Sequence, residues 1–326
     1  MWLWLLSFTR RATAVPGRGN ISLCDSRILV PSPQLRAFEQ CRDAARPARW
    51  PHVQGTQILL TSGGLRGNVF QHVYKAGGTS SIAVFRQYHR VHASHLMQGN
   101  PLHLERLDAN QSRMAVDFLR GCWTQLSRAP PHTRQPPPVP VVAFVREPVE
   151  RFLSGYYEIL ARELMRNPAS RKHNAADLAI ARSDYASPSE RLDAFLHTHN
   201  VGGKTIRIDP HVALQTWFLA YDSHKATQNL RVAAIWDVVA FDDVLAAAGY
   251  ETKVGRHNEK AIGAMAAIKK RFLVERRNIS SYAWTALCAY LADDYACLAF
   301  DPPPECGVQV NRQGRNRDLN LTFTAA

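Results

Sequence analysis

Short apolar runs alternate with amphipathic stretches along the chain, and this alternation predicts strands and helices in turn. Val69–Tyr74 and Val141–Val145 are predicted strands. The second run is uninterrupted by polar residues, which is typical of a strand buried on both faces of a parallel sheet. A third strand is predicted at Trp236–Phe241. Strands that alternate with helices favour an α/β fold with a mainly parallel sheet.

Amphipathic stretches with helical spacing separate these runs. Apolar residues repeat every three or four positions from Thr79 to about Met97 and from Asp108 to Leu126, which predicts a helix in each stretch. Pro148 begins another helix that extends to about Met165, because the missing N–H of proline does no harm in a first turn. Further helices are predicted after the capping box Ser187–Glu190, near Asp209 and over Ile279–Leu298.

The element pattern divides the chain into three regions. Residues 1–54 carry scattered proline, arginine and glycine with little periodicity, so we interpret them as a stem or a loosely packed extension. Residues 55–305 hold the predicted strands and helices and are the expected folded domain. Residues 306–326 form a polar tail that is expected to be disordered.

The composition agrees with a folded protein and adds a strong positive charge. Of 326 residues, 46% are hydrophobic and 21% are charged, which is typical of globular proteins. The net charge of +13 favours an anionic partner, such as a nucleotide or an acidic polysaccharide, and a merely solvated basic surface is the alternative. Lys and Arg form no basic run and no zinc-finger spacing occurs, so no nucleic-acid partner is expected.

The N-terminal segment is a candidate membrane anchor. Its apolar run, Trp2–Phe8, is nevertheless far shorter than the roughly 20 residues that a membrane-spanning helix needs. Sequons for N-glycosylation, which favour a secretory route, begin at Asn20, Asn110, Asn278 and Asn320.

Six cysteines occur, and none of them forms a CxxC pair. A zinc ribbon or a thioredoxin-like site is therefore not expected. Cys297 and Cys306 flank a short proline-rich turn and are candidates for a local disulfide, as are Cys24 and Cys41. Buried free thiols are the alternative.

The segment from Lys75 to Ser80 has the composition of a phosphate cradle between a strand and a helix. Its glycine pair lets the backbone approach an anion, toward which the N–H groups of the following turn point. The lysine precedes the glycines, whereas it follows them in a Walker A loop, which argues against an ordinary kinase or NTPase. An ordinary glycine turn that begins a helix is the alternative. The candidate anion-binding residues are Lys75, Gly77, Gly78, Thr79 and Ser80.

A second candidate site begins where the predicted strand Val141–Val145 ends. In open α/β sheets, ligands bind beyond the carboxyl ends of the strands. Arg146 leaves the strand at this point, and Ser154 lies two turns into the helix that follows. Both side chains can bind one phosphate, Arg146 through charge-assisted hydrogen bonds. A helix N-terminus with merely solvated charges is the alternative.

Together, the two segments resemble those of a known family. HVYKAGGTSS is similar to the 5′-phosphosulfate loop of Golgi carbohydrate sulfotransferases, and REPVERFLSGYY is similar to their 3′-phosphate motif. These enzymes use 3′-phosphoadenosine 5′-phosphosulfate (PAPS). Weaker similarity extends the resemblance over residues 68–301, through DPHVALQTWFL, WDVVAFDDV, His257-Asn258 and YLADDYACLAF.

The resemblance implies both a fold and a reaction. The fold is a three-layer, P-loop-kinase-like one with a central, mainly parallel sheet. The reaction is direct in-line transfer of a sulfuryl group from PAPS to a hydroxyl of an anionic or neutral glycan, without a metal, in the Golgi membrane or lumen. By position, the cradle residues would hold the 5′-phosphosulfate, with Lys75 also catalytic, and Arg146 and Ser154 would hold the 3′-phosphate. Glu147 stands where the family usually has aspartate and keeps the charge.

The catalytic base is the least defined part of the predicted site. Relatives often place a histidine or glutamate between the two motifs, and no glutamate follows Thr79 closely. We select His103, because it lies in a predicted loop. The histidines considered between the motifs are His89, His92, His95, His103 and His132.

Two other functions fit parts of the pattern. One is a nucleotide-dependent small-molecule kinase of similar fold, against which the order of lysine and glycines speaks. The other is a non-catalytic module that binds anionic glycan through the basic surface. Formation of product from PAPS separates these functions from a sulfotransferase.

Overall fold

A mixed sheet of five strands lies at the centre of the described part of the protein. The computed structural model describes residues 32–44, 56–61, 67–77, 80–81, 90–94, 139–165, 174–203, 209–219, 230–247 and 263–307. The strands are β1 (Thr56–Thr61), β2 (Gly67–His72), β3 (Arg90–Ser94), β4 (Val139–Val145) and β5 (Leu230–Asp237). Their order is β3-β1-β2-β4-β5. β2, β4 and β5 are parallel, and β1 runs antiparallel to its neighbours β2 and β3.

Helices flank this sheet. They are α1 (Pro33–Ala44), α2 (Pro148–Met165), α3 (Ala175–Arg182), α4 (Pro188–Thr198), α5 (Gln215–Leu219), α6 (Phe241–Ala247), α7 (Gly263–Lys270) and α8 (Ser281–Cys297). The parallel strands with flanking helices confirm the predicted α/β class. Among the described helices, none is both long and apolar enough to cross a bilayer.

β4 is buried on both of its faces, as its uninterrupted apolar sequence predicts. Val141, Ala143 and Val145 belong to a core cluster with α1, α5 and the end of α8. On the opposite face, the ring of Phe144 lies 5.5 Å from that of Trp236 and 5.0 Å from that of Phe241. Because both faces are covered, the carboxyl ends of the strands are the exposed edge at which a site can form.

A second core cluster joins α2, α3, α4 and α8. α2 has the predicted bounds, and its buried residues Val149, Phe152, Tyr156 and Ile159 follow helical spacing. The predicted capping box at α4 is also confirmed, because the Ser187 side chain accepts a hydrogen bond from the Glu190 N–H at 3.2 Å.

Three predicted elements differ from the structure. The helix expected over 79–97 is wrong for residues 90–94, which form strand β3 and pair with β1. The sequence there alternates Val91 and Ala93 with polar residues, as is typical of a strand. The third strand ends at Asp237, whose carboxylate accepts the Val239 N–H at 2.9 Å and turns the chain into a 3-10 helix. The helix expected near residue 209 begins only at Gln215. The helix expected over 108–126 lies outside the described residues.

The predicted local disulfides are wrong. Cys41 pairs with Cys297, which is 256 residues away, and Cys288 pairs with Cys306. The fold decides this pairing, because α1 packs against β5 and α8 and buries Leu35, Phe38 and Cys41.

Part of the predicted extension and tail therefore belongs to the folded core. The helix α1 begins after Ser32, whose hydroxyl accepts the Leu35 N–H at 3.1 Å and donates to the carbonyl of Ile235 in β5. Cys306, expected to begin a disordered tail, is buried and tied to α8 by its disulfide.

Candidate functional site

The turn after β2 holds Lys75 in an unusual backbone conformation. Lys75 has φ 67° and Gly77 has φ 74°, both in the left-handed region. That region is uncommon for a residue with a β-carbon and is often found at functional sites. A β-carbon on Gly77 would lie 2.8 Å from Val238 Cγ2, so the turn packs closely against the segment after β5. Ser81 then donates from its N–H and its hydroxyl to the carbonyl of Gly77, at 3.0 and 3.1 Å.

Arg146 is fixed by its backbone, while its side chain faces solvent. The side chain of Gln215 spans the backbone of Arg146, accepting from its N–H at 2.9 Å and donating to its carbonyl at 2.7 Å. The guanidinium donates from Nε and Nη2 to Glu150 at 3.2 and 3.0 Å. Since this contact is exposed, the guanidinium can change partners without a large desolvation cost.

The helix α8 holds the segment that carries Gln215 through hydrogen bonds that the backbone of this segment donates. The buried carboxylate of Asp294 accepts the N–H groups of Gln215 and Thr216, at 2.8 and 2.9 Å, and the Thr216 hydroxyl at 3.0 Å. Burial raises the pKa of Asp294, and the charge of Arg151 and these donors oppose the shift. Asp294 therefore orders the first turn of α5, from which Gln215 reaches Arg146.

Glu147 caps the start of α2. Its carboxylate accepts the Glu150 N–H at 2.6 Å and the Tyr295 hydroxyl at 2.5 Å. A carboxylate at a helix N-terminus is also favoured by the helix dipole. Glutamate in place of aspartate thus reaches from α2 to α8.

The buried side chain of Arg151 connects three segments of the chain by hydrogen bonds. Its guanidinium donates to the carbonyls of Tyr74 at 2.9 Å, Ala213 at 2.5 Å and Pro210 at 3.4 Å. The side chain is fully buried and lies over the ring of Phe218. Burial lowers its pKa to about 10, so it stays charged near neutral pH. Through the Tyr74 carbonyl, Arg151 fixes the residue that precedes Lys75.

A polar row along α2 brings the two sequence motifs together. Ser154, Glu158 and Arg162 are spaced four residues apart and so share one face of the helix. The Glu158 carboxylate binds Lys75 Nζ at 2.9 Å and Lys269 Nζ at 2.5 Å. Lys75 therefore contacts α2 at a position one helical turn beyond Ser154.

The contacts between Glu158 and the two lysines alter the pKa of Glu158 and of Lys75. Burial opposes the ionisation of Glu158, but the hydrogen bonds from Lys269 and Lys75 outweigh it and hold its pKa at about 2. Burial also lowers the pKa of Lys75, although its hydrogen bond to Glu158 opposes this shift. The group is thus an ionised carboxylate shared between two ammonium groups.

An aspartate–histidine pair lies against the same helix. His211 Nδ1 is 2.6 Å from the Asp209 carboxylate, which also accepts the His211 N–H at 2.9 Å and binds Arg162 at 2.5 Å. A β-carbon on Gly155 would collide with the carbonyl oxygen of His211, so this turn rests directly on α2 beside Ser154. Burial opposes the ionisation of Asp209, but these bonds and charges hold its pKa well below the usual range.

Aromatic contacts link this pair to the lysine turn. The Tyr74 ring lies 4.8 Å from the His211 ring and 4.9 Å from the His72 ring. Burial lowers the pKa of His72 to about 4, and the charge of Lys75 acts in the same direction. His72 is therefore neutral near pH 7.

Comparison with known proteins decides the family. A model described as the sulfotransferase family matches residues 68–292, which is more than half of the chain. The chain belongs to the sulfotransferase family. Searches of curated proteins and of solved structures found no significant match. The match includes both predicted motifs, and it confirms the resemblance and the P-loop-like fold class that the motifs imply.

The predicted site residues of this sulfotransferase fall into two groups. Lys75, Gly77, Arg146 and Ser154 lie at the carboxyl ends of β2 and β4 or on α2, and Ser80 lies in the segment after the turn. Gly78, Thr79 and His103 lie outside the described residues. Within the described ranges, no three His, Cys, Asp or Glu side chains form a group that could hold a metal ion.

Several residues that contact the predicted site were not identified from the sequence. Glu158 and Arg162 had a visible signal, since they continue the four-residue spacing from Ser154. Arg151 lies inside the quoted motif, but nothing in the sequence shows that it reaches Tyr74. Asp209 and His211 lie in the quoted segment DPHVALQTWFL, to which no role was given.

Proposed function

We propose that this sulfotransferase transfers the sulfuryl group of PAPS to a hydroxyl of a glycan, by direct in-line displacement. The observation that carries the proposal is the meeting of the two motifs on α2. Lys75 follows β2, Ser154 follows β4, and Glu158 connects their positions through its 2.9 Å contact with Lys75. A ligand with two separated anionic groups fits such an arrangement.

The turn after β2 is the proposed site for the 5′-phosphosulfate. Gly77 has a positive φ and no room for a β-carbon, so the backbone approaches the site without a side chain. Lys75 supplies a partly buried cation, and its partner Glu158 also pairs with Lys269, which would keep that carboxylate compensated if Lys75 moved. The proposed ligands are Lys75, Gly77, Gly78, Thr79 and Ser80.

Arg146 and Ser154 are the proposed site for the 3′-phosphate. Gln215 fixes the backbone of Arg146, and the exposed guanidinium is free to exchange Glu150 for a phosphate. Arginine suits this role because its fork of N–H donors matches phosphate oxygens. Ser154 adds a hydroxyl from the partly buried face of α2.

The proposed chemistry requires positioning and charge stabilisation. As the bond from sulfur to the bridging oxygen breaks, negative charge develops on the phosphate oxygen that leaves. Lys75 stabilises that charge, and a cation fixed in advance is effective because it costs no reorganisation in the transition state.

The proposed acceptor and compartment rest on charge and on disulfides. A net charge of +13 favours an anionic glycan, although a neutral one also fits the proposal. Two disulfides support folding in an oxidising compartment, as in the lumen of the secretory pathway. Asn278, which begins a sequon, is exposed on a 3-10 turn and so open to glycosylation. We propose a Golgi location, with the N-terminal apolar run as a candidate anchor.

Nucleotide binding tests the donor site. We expect 3′-phosphoadenosine 5′-phosphate, the product nucleotide, to raise the melting temperature far more than AMP does. Arg146→Ala should remove this difference, since hydrogen bonds to charged groups contribute about 1.5–3 kcal/mol each. Arg277→Ala is the matched control, because Arg277 is an exposed arginine that pairs with Glu275, which is not a proposed site residue. Equal stabilisation of the wild type by both nucleotides would contradict the proposed 3′-phosphate site.

Transfer itself is tested with labelled PAPS and a panel of anionic and neutral glycans. We expect label in a glycan product, and we expect the rate to persist in EDTA. Loss of transfer on chelation, with recovery on adding magnesium, would favour the kinase alternative. Binding of glycan and nucleotide without any transfer would favour the non-catalytic alternative.

A further inference from the structure

The site contains a histidine whose surroundings are those of a proton acceptor. His211 lies on the turn that rests on Gly155, next to Ser154 in the proposed donor site. Its ring contacts Tyr74, the residue before Lys75, at 4.8 Å. Arg162 lies 3.5 Å from the His211 ring, and its charge also acts on Lys75. The imidazole and the Lys75 ammonium therefore flank the same part of α2.

The contacts of His211 fix its tautomer. An ionised carboxylate only accepts hydrogen bonds, so the 2.6 Å contact to Asp209 places a proton on Nδ1. Nε2 then carries the lone pair. Arg162 cannot donate to a protonated Nδ1, so its 3.5 Å contact is electrostatic only. Arg162 instead binds Asp209 at 2.5 Å and keeps that carboxylate ionised and in place.

The imidazole of His211 is also partly accessible, since about 19% of its side chain is exposed. Among the described residues, the hydrogen bonds of the His211 ring involve Nδ1 and none involves Nε2. His72 is the other described histidine of this cluster, but burial lowers its pKa to about 4, which makes it a weaker base than an ordinary histidine. His211 thus has an orienting carboxylate on one nitrogen and an open lone pair on the other, which is the arrangement of a general base.

We propose that His211 is the general base of the sulfuryl transfer and that Asp209 is its positioning residue. The inference rests on the proposed function and replaces His103 in that role. Nε2 takes the proton of the acceptor hydroxyl while the acceptor oxygen bonds to sulfur. The bond from sulfur to the bridging oxygen breaks, and its electron pair leaves with the phosphate oxygen beside Lys75. The imidazolium that forms is stabilised by the Asp209 carboxylate.

The test compares substitutions of His211 with those of a second histidine. His211→Asn keeps an N–H near the position of Nδ1 for Asp209 but removes the base, and His211→Ala leaves space for added imidazole. The matched control is His199→Asn, because His199 makes an equally short contact of 2.6 Å with Asp177 on α3, and Asp177 is not a proposed site residue. The measurements are kcat, KM for the acceptor, and the dissociation constant of 3′-phosphoadenosine 5′-phosphate.

We expect both His211 variants to lose roughly 10²–10⁴-fold in kcat, the range that general-base catalysis contributes. Nucleotide affinity should change less than about threefold, because none of the proposed phosphate ligands is altered. Added imidazole should restore part of the rate of His211→Ala and should leave the rate of His199→Asn unchanged. The His199 control should lose stability and keep its kcat.

The outcomes separate this inference from the function on which it rests. If the wild type transfers sulfate and both His211 variants retain their kcat, His211 is a structural residue and the inference is overturned. A fall in kcat that is matched by equal loss of nucleotide binding and is insensitive to imidazole also overturns it. If the wild type forms no product from PAPS with any acceptor, the proposed function itself fails.

Discussion

Lys75 combines a strained backbone with a shared ion pair. A left-handed conformation costs on the order of 1–3 kcal/mol for a residue with a β-carbon, so the surrounding contacts must hold the turn. Glu158 binds both Lys75 and Lys269. If Lys75 left this ion pair to bind an anion, Lys269 would still compensate the charge of the Glu158 carboxylate.

We predict that Lys75→Ala lowers kcat by roughly 10²–10³, the loss seen when one fixed charge-stabilising donor is removed. Binding of 3′-phosphoadenosine 5′-phosphate should fall much less, because Arg146 and Ser154 remain. Initial rates and calorimetric titration measure the two effects. The control is Lys270→Ala, an exposed neighbour of Lys269 at the end of α7. A variant with wild-type kcat and weak nucleotide binding would make Lys75 an anchor instead of a catalyst.

His72 gives the stability of the protein a specific pH dependence. Its pKa is about 4 in the folded protein and 6.5 ordinarily, so between these values the unfolded chain binds a proton that the folded one does not. The stability contributed by neutral His72 is therefore complete above pH 6.5 and is lost as the pH falls toward 4. The shift corresponds to about 3 kcal/mol at most.

Urea unfolding at several pH values measures this dependence. We predict that His72→Gln flattens the fall in unfolding free energy between pH 6.5 and 4, relative to the wild type. His197→Gln is the control, since His197 is exposed on α4. Parallel curves for wild type and His72→Gln would show that burial of His72 does not control acid stability.

At the scale of elements, α2 has two different functions on its two faces. One face packs Val149, Phe152 and Tyr156 into the core that it shares with α3, α4 and α8. The other carries Ser154 and Glu158 toward the lysine turn. The turn with His211 crosses the helix at Gly155, where a side chain has no space. Because α2 packs in the core and also positions Ser154 and Glu158, a shift of the helix would move these two side chains as well.

We predict that Gly155→Ala destabilises the protein by about 1–3 kcal/mol, the usual cost of overpacking. It should also lower kcat, because the displaced backbone carries His211. Thermal unfolding and initial rates measure the two effects. Gly203→Ala is the control, since a β-carbon there meets only the Asn200 side chain, which can move. A Gly155→Ala enzyme with unchanged stability would show that the turn adjusts easily.

The sequence predicted those elements whose signals are local. β4 has a continuous apolar run and α2 has a proline in its first turn, and both were located closely. Val238 and Val239 were assigned to a strand because they are apolar, but the Asp237 side chain turns the chain there. The start of α5 was misplaced because its cap is Asp294, 79 residues away from Gln215.

The same distinction holds for the site. Lys75, Arg146 and Ser154 could be predicted as site residues because each belongs to a short motif with a mechanism. Arg151 and Gln215 act through carbonyl and N–H groups of distant segments, and such contacts leave no pattern in the sequence. The role of His211 depends on its partners Asp209 and Tyr74 in the folded chain, which spacing alone does not reveal.

At the scale of the whole molecule, two disulfides join α8 to other parts of the chain, one distant in sequence and one close. Cys297 ties α8 to α1, and Cys288 ties it to the segment that follows it. α8 also supports the site through Asp294. The covalent links therefore hold in place the helix that orders Gln215 and, through it, Arg146.

We predict that the double variant Cys41→Ser/Cys297→Ser loses more stability than Cys288→Ser/Cys306→Ser. The first disulfide closes a loop with a separation of 256 residues and the second one of 18. Loop-closure entropy makes the difference about 2 kcal/mol. Denaturant unfolding of both variants measures it. Equal losses would mean that the loss of local packing outweighs chain entropy.

The long separation of Cys41 from Cys297 in the sequence also delays formation of their disulfide during synthesis. A ribosome adds roughly 5–20 residues per second, so the thiol of Cys41 waits on the order of tens of seconds before its partner exists. During that interval, Cys24 and Cys122 are already present as wrong partners. If the chain is oxidised while it is synthesised, we therefore expect a disulfide isomerase to raise the yield of the native pairing.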